Sequence, residues 1–561
     1  MLFLILFLFA SCFAHQQKCS VIKLRRQLKH LHRPRLFWNF VNHASLHLSL
    51  AACLEKASPL SNDSVSRHLF QVIQLTKHVM HAKHETSSDS SSLLRSATIL
   101  HAQALNALEL PMQARSLLRL VLGLNHAQDQ DSTTILHATL AQSEVFICTS
   151  SNFPIEHCNI SSAVYHARQG IPLDLYYNKS ETRIIKKKQK NNELIPVGEH
   201  NEILWSNILK RRLDDRRQRT HIVPLIQKIR HDVHQFKYLL QDPSLSIEKH
   251  ANLEQASASY LHLLSILIQV TNENTNMTLA WETVDRRLRQ ELNYNDKLNV
   301  QKFYSKILHL PYPTIKKYQS ALREDINIQQ AINDYKKKGI VIIDSALTQY
   351  MLLSLQDFAA SATIFHDPRN GYLGGYASGG MISEITMLLA HEISQQFSQI
   401  MEGENLVQMW MYKYDAAANS HQNKKESGIA LHADDAYINI NIWLTKTQTK
   451  VVHVDRQQTD DGGGGLLIYP HLRAKKEDPF VLFNTKGSMR IHVDAETRST
   501  DGNGNDGGKD VVQIPHSTNR MVIFDSSMYH QSDGGMDFGT GYEEQRINLT
   551  LLFGKRKKRT K

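Results

Sequence analysis

Acidic residues are missing from the start of this chain, since no Asp or Glu precedes Glu55. Lysines and arginines recur in the same stretch, between Lys18 and Arg35. An acid-free, Arg-rich segment is typical of a transit peptide, and a basic start to a mature secretory protein is the alternative. The apolar run "MLFLILFLFASCFA" ahead of it is too short to span a membrane and has the length of a secretory signal, although it lacks a basic residue. We therefore predict a signal peptide over 1–14 and a basic, acid-free segment over 15–54.

The junction of these two segments bears on localisation. The letters "ASCFAH" (10–15) resemble the cleavage motif of the bipartite plastid signals of algae with complex plastids, with His15 in place of the usual proline. The expectation is entry into the secretory pathway, ending in the ER or Golgi lumen or outside the cell. A plastid reached through a bipartite signal is the alternative.

Long hydrophobic runs are absent beyond the first residues, so no membrane span is expected after signal cleavage. Cysteine is also scarce, with five in the chain. Cys12 lies in the predicted signal, and the other four permit two disulfides in a secretory protein. Because Cys148 and Cys158 bracket the short loop "CTSSNFPIEHC", we expect these two to pair. Sequons occur at Asn62, Asn159, Asn178, Asn276 and Asn548; they permit glycosylation without demonstrating it, and Asn548 lies in a predicted strand.

Aromatic residues are missing from the basic runs that raise the net charge to +11 and the pI to about 9.2. These runs are "RIIKKKQK" (183–190) and the tail "GKRKKRTK" (554–561), and such runs are mostly solvated loops or tails. The absence of interleaved aromatics disfavours nucleic acid as a partner. A basic protein would suit an acidic protein or glycan substrate.

The length of 561 residues exceeds one ordinary core, so several domains are expected. Helical spacing of apolar residues dominates 55–175 and returns over 223–335. The pentapeptide "TILHA" occurs at 98–102 and 134–138, an offset close to a tetratricopeptide helical hairpin, so the first region is either a TPR-like repeat or a plain helical domain. We predict a basic linker over 176–222, a strand-rich domain over 336–555 and a basic tail over 556–561. Many short strands with turn signals predict a β-sandwich or barrel there.

The stretch "LHADDAYININIW" carries the first chemical signal. Residues two apart in an extended segment point to the same side, so His432 and Asp434 project together. One imidazole, one carboxylate and a distant histidine make the 2-His-1-carboxylate triad of non-haem Fe(II) oxygenases. The strand and short loop of "NRMVIFDSSMYHQSD" supply His530 as the third ligand. In the strand after Asp434, the isoleucines Ile438, Ile440 and Ile442 take one face.

The final strand, "QRINLTLLFG", strengthens the signal because Arg546, Asn548 and Thr550 alternate onto one face. A guanidinium is a rigid two-pronged donor suited to a carboxylate, and 2-oxoglutarate oxygenases hold the far carboxylate of their co-substrate with an Arg at this place. Thr550 would add a hydroxyl, and a salt bridge at the barrel rim is the alternative role for Arg546. Asn441, and equally Asn439, either hydrogen-bonds the co-substrate or satisfies other inward polar groups. Tyr414 either donates its hydroxyl to 2-oxoglutarate or is a core aromatic.

Taken together, these motifs resemble the Fe(II)/2-oxoglutarate-dependent dioxygenase superfamily. The chain looks most similar to a group that joins a tetratricopeptide-like N-terminal region to a C-terminal oxygenase. The resemblance covers roughly 225–555 and rests on "IRHDVHQFKYLL", "GIVIIDSAL", "GYLGGY", "QMWMYKYD", "GIALHADDAYININIW", "GGGLLIYP", "NRMVIFDSSMYH" and "GYEEQRINLTLLFG". It implies an α+β multidomain protein, with an all-α N-terminal region and a double-stranded β-helix (jelly-roll) core flanked by helices.

The resemblance also implies the activity and its cofactors. Fe(II) would be held by His432, Asp434 and His530, 2-oxoglutarate would pair with Arg546, O₂ would be consumed, and ascorbate could serve as reductant. The expected reaction is hydroxylation of an unknown substrate, such as a protein or peptide held by the helical region, with release of succinate and CO₂. Alternatives are a non-catalytic helical adaptor with an oxygenase-fold sensor domain, and a secretory enzyme resembling prolyl hydroxylases. Leu552 stands near the place of a second Arg in the alkylation-repair dioxygenases, which disfavours nucleic-acid demethylation.

Overall fold

The computed structural model describes residues 44–45, 47–48, 51, 62–81, 88–124, 130–153, 155–171, 209, 222–273, 281–311, 319–369, 371–414, 429–446, 465–474, 511–532 and 541–555. The predicted signal, most of the basic segment, nearly all of the linker and the basic tail lie outside the described residues. Cys12, Cys19 and Cys53 do so as well. The domain boundaries predicted from the sequence stay predictions.

Helices fill the described part of the N-terminal region, and each packs on the next along the chain. They are α1 (Asn62–His81), α2 (Ser88–Ala107), α3 (Pro111–Leu124), α4 (Gln130–Thr149) and α5 (Ile160–Gln169). The first four share a core to which each contributes buried apolar residues, such as Val72, Leu100, Leu118 and Leu140. Pro111 opens α3, because the first helical position does not need the N–H that proline lacks. The all-α character is confirmed, and the tetratricopeptide arrangement stays a prediction.

A disulfide joins Cys148, near the end of α4, to Cys158, just ahead of α5, as the short loop predicted. The Cys148 carbonyl accepts a hydrogen bond from His391 Nδ1 at 2.6 Å. This contact joins the N-terminal helices to a helix of the C-terminal region.

A second helical group follows: α6 (Val223–Leu239), α7 (Ile247–Glu273), α8 (Trp281–Glu291) and α9 (Tyr294–Phe303). Helix α6 is buried along most of its length because its apolar side faces α7 and its other side faces the strand-rich region. That second side is polar. Lys228 forms a buried ion pair with Asp232, and Gln235 Nε2 donates to the carbonyls of Ala360 and Ala362 at 3.1 and 2.9 Å.

Within the described ranges, no helix combines the length and the hydropathy that crossing a bilayer requires.

The C-terminal region mixes strands and helices. Its elements are α10 (Ile328–Lys338), β1 (Ile340–Ile343), α11 (Gln349–Ser361), β2 (Asp367–Arg369), β3 (Tyr372–Tyr376), α12 (Glu384–Gln396), α13 (Ser398–Met401), β4 (Leu406–Tyr414), β5 (Ile438–Trp443), β6 (Leu466–Arg473), β7 (Val512–Ile514), β8 (Met521–Asp525), β9 (Met528–Ser532) and β10 (Ile547–Phe553). Helix α10 ends at Gly339, whose φ of 70° is left-handed and therefore suits glycine. The "GYLGGY" segment is mostly strand β3.

The strands form two antiparallel sheets. The larger has the order β1-β8-β5-β10-β4-β3-β2, and the smaller has the order β7-β6-β9. Ile438, Ile440 and Ile442 of β5 pack into the core shared with the helices, while Trp443 of the opposite face packs against β6 and β7. The face assignment predicted for β5 is thus confirmed, and so is an α+β fold. The double-stranded β-helix stays a prediction.

Candidate metal centre

Two histidines from distant parts of the chain lie side by side. His432 precedes β5 and His530 belongs to β9, yet their backbones exchange both hydrogen bonds, at 2.9 and 2.8 Å. The pair is therefore a short antiparallel bridge, and the ring centroids lie 4.3 Å apart. Asp434 follows His432 by two residues, so the local extended backbone brings its carboxylate to the same side.

The ligand atoms of these three residues converge. One atom from each of His432, Asp434 and His530 lies within 4.8 Å of the others. Asp434 Oδ1 is 3.7 Å from His432 Nε2, and Asp434 Oδ2 is 3.4 Å from His530 Nε2. Adjacent ligands of an octahedral ion at about 2.1 Å lie roughly 3 Å apart, so a small inward movement accommodates a divalent metal.

The hydrogen bonds of the two rings determine which nitrogens face this cluster. His432 Nδ1 is 2.8 Å from the Ala430 carbonyl, and His530 Nδ1 is 3.0 Å from the Met528 carbonyl. A carbonyl only accepts, so each Nδ1 carries the proton and each Nε2 presents a lone pair. Two lone pairs and a carboxylate then face one another, which is an arrangement of acceptors that a cation resolves. This donor set fits Fe(II).

The charge state of His432 supports the same conclusion. Its side chain is 16% exposed. Burial, helped by the neighbouring His530 and opposed by Asp434, lowers its pKa to about 4. The ring is therefore neutral at physiological pH, as a metal ligand must be.

A ladder of side-chain hydrogen bonds extends from the carboxylate into the sheet. Asn439 Nδ2 donates to Asp434 Oδ2 at 2.5 Å, and Asn441 Nδ2 donates to Asn439 Oδ1 at 2.8 Å. Asn548 Nδ2 and the Thr550 hydroxyl both donate to Asn441 Oδ1 at 2.8 Å. The ladder orients Asp434 through Asn439, a role that the sequence did not reveal. Asn441, Asn548 and Thr550 hydrogen-bond to one another, and their contact with a co-substrate stays a prediction.

Arg546 and Tyr414 form the other predicted part of the site. The Arg546 side chain is on the strand side that continues through Asn548 and Thr550, and the residue is 4% exposed. Its guanidinium carbon lies 4.5 Å above the Tyr414 ring, and its Nη2 donates to the Gly465 carbonyl at 3.3 Å. The Tyr414 hydroxyl is 3.5 Å from Ser532 Oγ. Arg546 is thus a buried cation held flat by an aromatic ring.

His516 lies close enough to this cation to be affected by its charge. Its Nε2 lies 3.0 Å from the Thr445 hydroxyl. Burial, together with the charges of Arg546 and Arg520, lowers its pKa to about 3. A neutral ring next to Arg546 keeps a second positive charge out of this part of the site.

Aromatic rings continue from Tyr414 across the larger sheet. Tyr372 of β3 contacts Tyr412 and Tyr414 with ring centroids 4.8 and 5.4 Å apart, and Trp410 lies 5.9 Å from Tyr412. The register explains the row, because Tyr372 pairs with Tyr414 and Tyr376 with Trp410. Sequence reasoning identified Tyr414 but missed the row, since it depends on how β3 aligns with β4.

Comparison with known proteins adds little to this geometry. No protein-family model matches the chain, and no curated protein matches its sequence. Among solved structures, a Pseudomonas putida prolyl-4-hydroxylase is similar at 12% identity and a TM-score of 0.25, over 41% of this chain and 100% of that one.

Proposed function

We propose that this protein is an Fe(II)- and 2-oxoglutarate-dependent dioxygenase that hydroxylates an as yet unidentified substrate. The observation that carries the proposal is the convergence of His432, Asp434 and His530, with both Nε2 lone pairs turned toward the carboxylate. Bound Fe(II), with 2-oxoglutarate and O₂, supplies decarboxylation to succinate and CO₂ coupled to insertion of oxygen into a substrate C–H bond.

The residues of the chain divide the remaining work. Arg546 binds the far carboxylate of 2-oxoglutarate through its two-pronged donor, and the Tyr414 ring keeps the guanidinium in one plane. Asn439 holds one oxygen of Asp434, so that the other is presented to the metal. The low exposure of Arg546 and His530 limits water at the site, which strengthens each charged contact.

Turnover is the first test. Purified protein with Fe(II), ascorbate and 2-oxoglutarate should release succinate slowly even without substrate, and His432→Ala should lose this activity. His471→Ala is the matched control, because His471 is an exposed histidine on β6, the strand that pairs with β9. Succinate release by wild type that does not exceed the His432→Ala background, even with cell extract supplied as substrate, would favour the non-catalytic scaffold.

Metal binding provides a readout that does not depend on activity. A divalent ion that binds only the folded state at 100 times its Kd adds about 2.7 kcal/mol to the free energy of unfolding. We expect Mn²⁺ to raise the melting temperature of wild type and of Asp435→Ala, whose exposed carboxylate is next in the chain. Asp434→Ala should show no such rise; an undiminished rise would remove Asp434 from the ligand set.

A further inference from the structure

Asn159 combines a sequon with an unusual local setting. It begins Asn159-Ile160-Ser161 and is exposed at the N-terminus of α5. Its side-chain Oδ1 accepts a hydrogen bond from the Ser162 backbone N–H at 2.9 Å, which caps the helix. The cap uses only the oxygen of the amide. The nitrogen Nδ2, which is the atom that N-linked glycosylation modifies, is not used by the cap.

Asn548 shows how a sequon fails the same criteria. It begins Asn548-Leu549-Thr550 within β10 and is 6% exposed. Its Nδ2 already donates to Asn441 Oδ1 at 2.8 Å and to the Thr550 hydroxyl at 3.0 Å. A glycan there would break the ladder that reaches Asp434 and would have to fit inside the sheet packing. Of the two sequon asparagines whose side chains the structure describes, only Asn159 can carry a glycan.

The disulfide next to Asn159 is an independent indication of the compartment. Cys158 immediately precedes the sequon and is bonded to Cys148. Disulfides form and persist in oxidising compartments such as the ER lumen, which is also where N-glycans are attached. An exposed acceptor nitrogen and an oxidised cysteine therefore occupy neighbouring positions on the same surface loop.

We propose that Asn159 is a site of N-linked glycosylation. In this transfer, Asn159 Nδ2 forms a bond to the anomeric carbon of an oligosaccharide carried on a lipid pyrophosphate. The bond from that carbon to the pyrophosphate oxygen breaks, the nitrogen loses one proton, and the lipid pyrophosphate leaves. No oxidation or reduction occurs. Ser161 supplies the hydroxyl that the sequon requires, and it is exposed as well.

The test uses the full chain, expressed in eukaryotic cells from its own first residue. The purified protein is treated with an N-glycan amidase in heavy-oxygen water, which converts each modified Asn to a mass-labelled Asp. Peptide mass spectrometry should find the label at position 159 and none at 548. An unlabelled Asn159 would overturn the proposal whichever compartment the protein had reached. A label at Asn548 would overturn the argument that exposure selects between the two.

Two variants separate the modification from the helix cap. Asn159→Asp retains a side-chain oxygen for the Ser162 N–H but has no amide nitrogen, and Ser161→Ala breaks the sequon without touching the cap. Both should lose one step of electrophoretic mobility shift. Asn159→Asp should melt at the temperature of the deglycosylated wild type, and Ser161→Ala slightly below it, because that variant also loses the exposed 3.3 Å hydrogen bond from Ser161 Oγ to Glu384 Oε1. Ser161→Thr should retain the shift. A shift that persists in both Asn159→Asp and Ser161→Ala would contradict the assignment.

Discussion

The N-terminal helices and the C-terminal sheets both bury histidines and carboxylates, yet they satisfy them differently. In the helices, His137 and His166 meet Nδ1 to Nδ1 at 2.7 Å, so one ring donates and the other accepts. In the sheets, the Nε2 atoms of His432 and His530 both accept and face a carboxylate. Burial alone therefore does not mark a site. Two rings that both present a lone pair to the same carboxylate do, because no proton is shared between them as it is in the helical pair.

The carboxylates repeat the contrast. Glu144 is fully buried and is held by two cations, Arg115 at 3.3 Å and Arg119 at 2.5 Å. Asp434 receives an amide donor from Asn439 and faces two imidazoles. The first carboxylate is neutralised by cations within the fold, whereas the second is oriented by an amide within the candidate metal centre.

The largest expected effect in the sheet region concerns Arg546. If its guanidinium binds the far carboxylate of 2-oxoglutarate, Arg546→Ala should raise KM for 2-oxoglutarate about 10- to 100-fold, with turnover partly recovered at high co-substrate. The KM of Arg546→Lys should lie between those of wild type and Arg546→Ala, since an ammonium keeps the charge without the two-pronged geometry. Steady-state succinate release measures both.

Arg473→Ala is the control for this prediction. Arg473 pairs with Asp525 at 2.6 Å in the same domain, so its loss costs stability without affecting a ligand carboxylate. A KM that rises equally in both variants would show that Arg546 acts through stability.

Asn439 gives the next largest effect. Residues that orient a metal ligand typically contribute 10- to 100-fold to metal affinity. We expect Asn439→Ala to weaken Mn²⁺ binding about tenfold, because Asp434 loses the donor that fixes its carboxylate. Calorimetric titration with Mn²⁺ would measure the change in affinity. Asn441→Ala should have a smaller effect, because Asn441 contacts Asn439 and reaches Asp434 only through it. Unchanged affinity in Asn439→Ala would mean that the backbone alone orients Asp434.

Local pattern explains which parts of this site were accessible from sequence. The period of two in strands places His432 beside Asp434 and separates the isoleucines of β5 from Asn439 and Asn441. The strand and loop after Met521 identified His530 as a partner, and the structure brings it next to His432.

Register explains what was missed. Whether Asn441 meets a ligand or another side chain depends on its pairing with Thr550, and the aromatic row depends on Tyr372 facing Tyr414. Such contacts join strands far apart in the chain, so no local pattern encodes them. The strand at "YLGGY" depends on such pairing too, because its two glycines disfavour a strand locally and its partners β2 and β4 lie on either side of it in the sheet.

Glu144 sharpens the contrast from the helical side. Glu144→Gln removes the charge between Arg115 and Arg119, and we expect the free energy of unfolding to fall by about 1–3 kcal/mol. We expect the lower end of this range, since water screens the charge of the half-exposed Arg119 and weakens its ion pair with Glu144. Urea denaturation measures the change. The Mn²⁺ affinity and the KM for 2-oxoglutarate should stay at wild-type values. A lower affinity or a higher KM would show that the helices and the candidate metal centre are coupled.

The histidine pair should give the smallest effect, one visible only as a pH dependence. Burial, together with the charges of His137 and Arg119, lowers the pKa of His166 from its ordinary value of 6.5 to about 4. Between these two values the unfolded chain binds more protons, so this pair makes the protein less stable as pH falls from 6.5 toward 4. Replacing His166 with Gln should reduce that slope of unfolding free energy against pH. His137→Gln should reduce it similarly, and the double variant by less than the sum, because each ring acts on the other. Strictly additive changes would show that the two rings titrate independently. The hydrogen bond between His137 and His166 would then not determine the protonation of either ring.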